Sequence, residues 1–288
     1  MWNAKICASA LMLLLASTVQ AETSVWRLSD GSNQLFIAGT VHLLPAEQFP
    51  LPDQFDQAYQ QADTLVFEAD VRQLDTPQGM QLLLQQARYN DGRQLDQVLT
   101  ATTYAKLQDF AKSQGVDLRQ LNSYKPDFVL LTLMQSALQN TGMAGQGVDM
   151  FFLQQALTDR KALLFLETVE QQLTMLLNAS ANNEDAYVQQ NLAQLSEMDV
   201  QLKQIIAAWR SGNTDALASV AMAFTDTPEG KQFYQTLLVQ RNQNWIPQLT
   251  QMLATKEVEL VLVGALHLAG DSNVLELLQQ QGYQVTKL

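Results

Sequence analysis

Leu35-Phe36-Ile37-Ala38-Gly39-Thr40-Val41-His42-Leu43 and Leu260-Val261-Leu262-Val263-Gly264-Ala265-Leu266-His267-Leu268 follow one pattern. Each is an apolar run of buried-strand length, closed by Gly-x-x-His-Leu. A loop, a helix-like stretch and a second strand-like run follow in both cases, at 65–71 and 283–288. Two β-α-β units from an old duplication account for the repeat. Such units need a crossover between parallel strands. The expectation is therefore an α/β fold with a central mixed, largely parallel sheet. Ligands of open α/β sheets bind beyond the carboxyl ends of the strands. Both histidines fall at that edge.

Outward from the first repeat, residues 25–28 form a preceding strand, with Asp30-Gly31 at a hairpin turn. A helix over 53–62 follows Pro50 and Pro52 and leads to Leu65-Val66-Phe67. From about 77 to 255 the chain reads as a large helical insertion. Apolar residues recur at i, i+3, i+4 in 78–88, 104–113, 128–139 and 150–157. One strand, 162–166, interrupts it. Residues 184–210 read as one long helix or two, and 228–255 as another. Asn273 with Glu276 fits a capping box for the last helix, and Gly282 fits its stop. No linker rich in Gly, Pro or Ser divides the chain, so 22–288 reads as a single domain.

The chain of 288 residues has 17 basic and 29 acidic side chains, a net charge of −12 and 47% hydrophobic residues. That is globular rather than disordered composition. A pI near 4.5 excludes a nucleic-acid partner, which needs clustered Lys and Arg. Lys5, the apolar run 6–16 and the small residues up to Ala21 read as a signal peptide spanning 1–21. The run is too short for a comfortable membrane span. The expected product is periplasmic or secreted, soluble, and without a stable membrane anchor. Cys7 is the sole cysteine and leaves with this segment. Disulfides, thiolate catalysis and cysteine metal sites are then excluded together.

The two histidines at matched places read as one metal site or an acid/base pair. Glu68 closes the partner strand of the first unit and is expected beside His42. Two imidazoles and a carboxylate leave positions open for water and substrate. Glu167 and Glu170 follow strand 162–166, and either could be a general base or a partner to a histidine. An acidic first helical turn explains at least one of them. Arg241 is an oxyanion stabiliser or a surface residue. Asp149 reads as an N-cap and Asp70 as a solvated carboxylate. The chain has no Gly-x-Ser-x-Gly, no His-Glu-x-x-His, no phosphate loop and no dinucleotide fingerprint.

Gly39-Thr40-Val41-His42, Phe67-Glu68, Lys125-Pro126, Gly147-Val148-Asp149, Leu166-Glu167-Thr168 with Glu170-Gln171, Arg241-Asn242 with Trp245, and Val263 to Leu268 together resemble the TraB/GumN family, whose animal relatives are the Tiki proteases. The resemblance covers about 35–288. It implies a fold shared with erythromycin esterases and ChaN-like haem-binding lipoproteins. It implies a metal-dependent hydrolase acting on a peptide or protein substrate with a divalent transition metal (Mn, Co or Zn). His42, Glu68 and His267 are the implied metal ligands, with Glu170 and Arg241 as catalytic support. A haem- or metal-binding protein and a metal-free esterase with a histidine base are the alternatives. A homo-oligomer is left open.

Overall fold

The computed structural model describes residues 23–141, 145–181, 183–223, 225 and 228–288. The signal-peptide reading falls on residues outside these. Among the described residues no helix is long and apolar enough to cross a membrane.

The chain opens with β1 (Val25–Ser29) and β2 (Gln34–Thr40), then α1 (Asp53–Gln61) and β3 (Thr64–Phe67). The helical stretch brings α2 (Pro77–Ala87), α3 (Leu95–Val98), α4 (Ala101–Ser113), α5 (Pro126–Asn140) and α6 (Val148–Asp159). Then come β4 (Ala162–Phe165), α7 (Val169–Leu176), α8 (Glu184–Leu195), α9 (Met198–Arg210) and α10 (Thr214–Ala223). A single helical rod joins α11 (Pro228–Tyr234), a π-helical turn (Gln235–Val239) and α12 (Gln240–Leu253). The end is β5 (Glu259–Gly264), α13 (Val274–Gln280) and β6 (Gln284–Lys287).

The six strands form one sheet in the order β4-β3-β5-β2-β1-β6. β4, β3, β5 and β2 run parallel, and β1 is antiparallel to both its neighbours. The fold is thus the expected mixed, largely parallel sheet with many helices. Successive side chains of a strand point to opposite faces. Phe36, Ala38, Leu65, Phe67, Leu260 and Leu262 enter one core, with α1, α6 and α9. Leu35, Ile37, Val66, Val261 and Val263 enter the other, with α12 and α13. A strand buried on both faces reads as a continuous apolar run, which is why these were visible in the sequence.

Neither repeat unit joins adjacent strands. The β2-α1-β3 crossover skips over β5. The β5-α13-β6 crossover skips over β2 and β1, and β6 pairs antiparallel with β1. The two crossovers run in opposite directions along the sheet, on opposite faces, so they share one hand, as the chirality rule requires. The interleaving places β2 and β5, and hence both Gly-x-x-His turns, side by side at the centre.

The helices divide by core. α3, α4, α5 and α8 gather round their own cluster of Leu95, Leu107, Val129, Leu133 and Val188. The 184–210 segment is two helices, broken near Ser196. Asn273 caps α13 by accepting the Glu276 N–H. The Glu276 carboxylate accepts from Ser272 instead of Asn273, so the capping box is only half formed. Gly282 follows the helix at φ 92°.

Candidate active site at the carboxyl edge of the sheet

Thr40 lies opposite Gly264 in the parallel β2–β5 register, so both histidine turns leave the sheet together. Phe67 lies opposite Leu262, so Glu68 follows one step short of the end of β5. Its Oε1 accepts the Gly264 N–H at 2.7 Å. The Glu167 N–H donates to the Glu68 carbonyl at 2.8 Å, which carries β3–β4 pairing one step further and brings Glu167 to the same edge.

These groups converge above Gly264. A Cβ built on that glycine would lie 3.4 Å from Glu68 Oε1, 3.6 Å from His267 Cδ2 and 3.8 Å from His42 Nε2. His42 was expected beside Glu68 through adjacent strands. Because β5 stands between β2 and β3, the contact Glu68 makes is with His267, Oε1 to Nε2 at 3.8 Å.

The two histidines are matched in sequence but not in environment. His267 sits in a 3-10 turn and is 3% exposed. Its Nδ1 lies 2.6 Å from Asn242 Oδ1, while Asn242 Nδ2 donates to the Ser272 carbonyl. That second bond fixes the amide, so Nδ1 of His267 carries the proton and Nε2 offers a lone pair. Arg241 NH1 takes that lone pair at 3.0 Å. Burial first, and the nearby charges of Arg241 and His42, push the imidazole down to about 3 against the pull of Glu68, so it is neutral. His42 is in a loop with its side chain 66% exposed, and its Nδ1 meets Asp149 Oδ2 at 3.2 Å. Desolvation would lower it, but the hydrogen bond and charge of Asp149, with Glu68 behind, raise it to about 9.

Arg241 is the hub. It is 8% exposed and is the second residue after the π turn. Nε donates to both Glu167 oxygens at 2.9 and 3.1 Å, NH2 to Glu68 Oε2 at 2.5 Å, and NH1 to the Leu237 carbonyl as well as His267. Trp245, one turn on, donates Nε1 to Glu167 at 2.9 Å and lies under both the guanidinium and the His267 ring. Burial works against ionisation of Glu68. His267, Arg241, His42 and the Gly264 N–H together bring it down to about 2. Since His267 is neutral, the positive charge acting on Glu68 is that of Arg241, in direct contact, and of the more distant His42.

Of the remaining candidates, Glu170 is exposed in the first turn of α7, where an acidic residue complements the helix dipole. The structure thus brings Glu167, not Glu170, to the cluster. Asp149 is not an N-cap, since Gly147 holds that position, and its side chain reaches His42. Asp70 is paired to Arg72 rather than solvated. Asn242 stood in the family motif without a role, and Gln172, which donates to Glu68 Oε2 at 3.2 Å, was not singled out in the sequence. The spacing Arg241-Asn242-x-x-Trp245 on a helix was a usable signal, because residues four apart share a face.

The donor set has the chemistry of a metal site. Both imidazoles have their far nitrogen anchored by an oxygen, the arrangement that orients histidine ligands. Thr40 and Asp149, which line the cavity, each bury a side-chain oxygen, Oγ1 and Oδ1, that has no hydrogen-bond partner. Against this, Arg241 already bonds Glu68 and His267. As the side chains stand, no group of three or more His, Cys, Asp or Glu among the described residues is closed tightly enough to hold an ion.

The chain is thus an α/β protein with a sheet covered on both faces and a buried Arg–carboxylate–histidine cluster at the carboxyl edge, the edge at which open α/β sheets bind their ligands. A model of the TraB/PrgY/gumN family matches residues 24–287, and the chain belongs to that family. It is 25% identical over 253 residues to a protein of Escherichia coli (strain K12) named "Uncharacterized protein YbaP", covering 86% of this chain and 89% of that one. The Shigella flexneri protein of the same name is equally similar. No solved structure gives a significant match.

Proposed function

We propose that the edge cluster is the centre of an exported hydrolase that cleaves a peptide bond with a divalent transition metal, Mn, Co or Zn. The observation that carries this reading is the convergence of His42 Nε2, His267 and Glu68 Oε1 above Gly264, with both imidazoles held from behind. His42, Glu68 and His267 would hold the metal. When bound, such an ion polarises a carbonyl and lowers the pKa of water. Asp149 and Asn242 orient the two rings. Arg241, fixed between Glu68 and Glu167, is a preorganised donor for negative charge developing on the substrate. Loading requires Arg241 NH1 to give up His267 Nε2.

A second reading is favoured by that same Arg241 contact. In a metal-free esterase, Asp149 holds His42 as His–Asp pairs do elsewhere, and Nε2 of His42 takes a proton from water only in the fraction of molecules whose ring has lost its own proton, a fraction that grows as pH rises toward about 9. Elemental analysis of the purified protein beside His42→Ala and His267→Ala separates the two. About one metal per chain, lost in both variants, together with peptide cleavage abolished by a chelator, is the expected result. Cleavage that persists in chelator moves the assignment to the metal-free reading. Peptide cleavage that survives both substitutions rejects the site.

A further inference from the structure

The cluster opens into a cavity of about 510 Å³ whose other walls are built by the helical insertion. Those walls are apolar. Met134 of α5, Met150 of α6, Met175 of α7 and Met198 of α9 all line it, joined by Leu202 and Ile205 of α9. Four of the chain's ten methionines thus come from four separate helices to one space. Methionine is unbranched and polarisable, and it fits itself to differently shaped apolar groups. Scattered core packing does not require four helices to aim this residue at one opening.

Charge narrows the choice further. No lysine lines the cavity among the described residues, and Arg241 is already claimed by Glu68 and Glu167. Glu68 and Asp149 add negative charge at its floor. His42 is likewise paired, to Asp149, so a phosphate, a free carboxylate or an acidic side chain would have to compete with carboxylates already in place for either cation. Two amides, Gln172 and Gln201, interrupt the apolar wall. Gln172 already donates to Glu68, but an amide carries more than one hydrogen-bonding position, and the pair matches the groups of a peptide backbone, which a fatty acyl chain lacks.

We infer that the site selects uncharged peptide segments with large apolar side chains next to the bond presented to His42 and Glu68, and that Met134, Met150, Met175 and Met198 determine this specificity. This rests on the hydrolase reading for the reaction but not for the binding. The test therefore measures both. Fluorescein-labelled hexapeptides with a central Leu-Phe, Glu-Glu or Lys-Lys are titrated by anisotropy against the His42→Ala protein, and the same peptides are offered to the wild type with Mn, Co or Zn. The expected result is at least tenfold tighter binding of the Leu-Phe peptide. The gap should shrink below threefold in Met134→Gln/Met198→Gln, with Met175→Gln as a milder single variant should the double one melt early. Equal affinities, or a preference unchanged in these variants, overturn the inference. Selective binding without cleavage keeps it and removes the hydrolase reading, while cleavage without selectivity does the reverse. Tighter binding of a fluorescein-labelled decanoyl amide than of the Leu-Phe peptide overturns the peptide as occupant.

Discussion

Arg241 stands between two carboxylates in a space nearly closed to water, with side-chain exposures of 9% for Arg241, 13% for Glu68 and 11% for Glu167. A buried ion pair contributes little net stability against an apolar replacement of the whole set, but removing one partner strands the others. Arg241→Met would leave Glu68 and Glu167 as buried anions with neutral donors but without their ion-pair partner, at a cost of about 3–5 kcal/mol. The pH dependence follows from the Glu68 carboxyl, which lies near 2 in the fold against an ordinary 4.5. In the wild type its contribution is present above 4.5 and lost as pH falls through about 2. In Arg241→Met the carboxyl is raised instead, so acidification relieves it. Urea unfolding should show the gap between the two proteins widest at pH 7 and narrower at pH 4. A gap that does not change with pH would mean that the guanidinium is not what keeps Glu68 ionised. Gly264 allows a cleaner separation of site from fold. Its backbone is at φ −52°, ψ 135°, open to any residue, and an added methyl would sit at ordinary contact distances of 3.4–3.8 Å. Gly264→Ala should keep its melting temperature within about 3 °C, since substitutions without a clash or cavity cost little. It should nevertheless lose at least tenfold in activity, because the methyl projects into the point where the three groups meet. Unimpaired turnover in a folded Gly264→Ala protein would place the reaction elsewhere.

At the scale of elements, the start of α6 is pressed against the loop that carries His42. The Val148 N–H donates to the Val41 carbonyl at 3.0 Å, and a Cβ at Gly147 would overlap the His42 carbonyl. Only glycine lets α6 come close enough for Asp149, two residues on, to reach the ring. Gly147→Ala should push the helix away, destabilise the protein by about 1–3 kcal/mol as strain and overpacking do, and lower activity in step with Asp149→Asn. Full activity in Gly147→Ala would separate Asp149 from the function of His42. The same contact shows where sequence reasoning stopped. Gly147-Val148-Asp149 could be read as a helix start, because capping is local. That Asp149 faces His42, 107 residues away, depends on tertiary docking that no local pattern encodes. The strands were legible because each is an apolar run buried on both faces. Their order was not, since nothing in Leu65-Val66-Phe67 says that β5 rather than β2 lies beside it. Glu167 and Glu170 were indistinguishable for a related reason. Both follow β4, and it is the extra step of β3–β4 pairing at Glu167 that holds one at the edge and leaves the other on the first turn of α7.

Across the whole molecule the sheet has two edges with opposite electrostatic character. At the carboxyl edge every acidic group of the cluster has a cation or a donor. At the amino edge Glu259 begins β5 at 3% exposure with Oε2 unpaired, near Glu257 and Asp63. Burial first, then repulsion from Glu257 and Asp63, raises its carboxyl to about 7 from 4.5. The unfolded chain releases that proton near 4.5 while the folded chain keeps it until about 7. The folded state therefore binds more protons between these values, and stability must fall as pH rises through that window. The shift corresponds to at most about 3.5 kcal/mol, since one pKa unit is worth about 1.4 kcal/mol. On a chain of net charge −12 this adds to a general self-repulsion that also grows with pH. Glu259→Gln removes the local part while leaving the rest. Chemical denaturation of wild type and variant should give nearly equal stability at pH 4.5 and an advantage of about 1–3 kcal/mol for the variant at pH 8. Activity per folded molecule should be unchanged, because Glu259 lies at the opposite end of β5 from Gly264 and the cluster. Parallel stability curves for the two proteins would show that the buried carboxyl is ionised throughout, and that some cation or donor reaches Oε2 in solution.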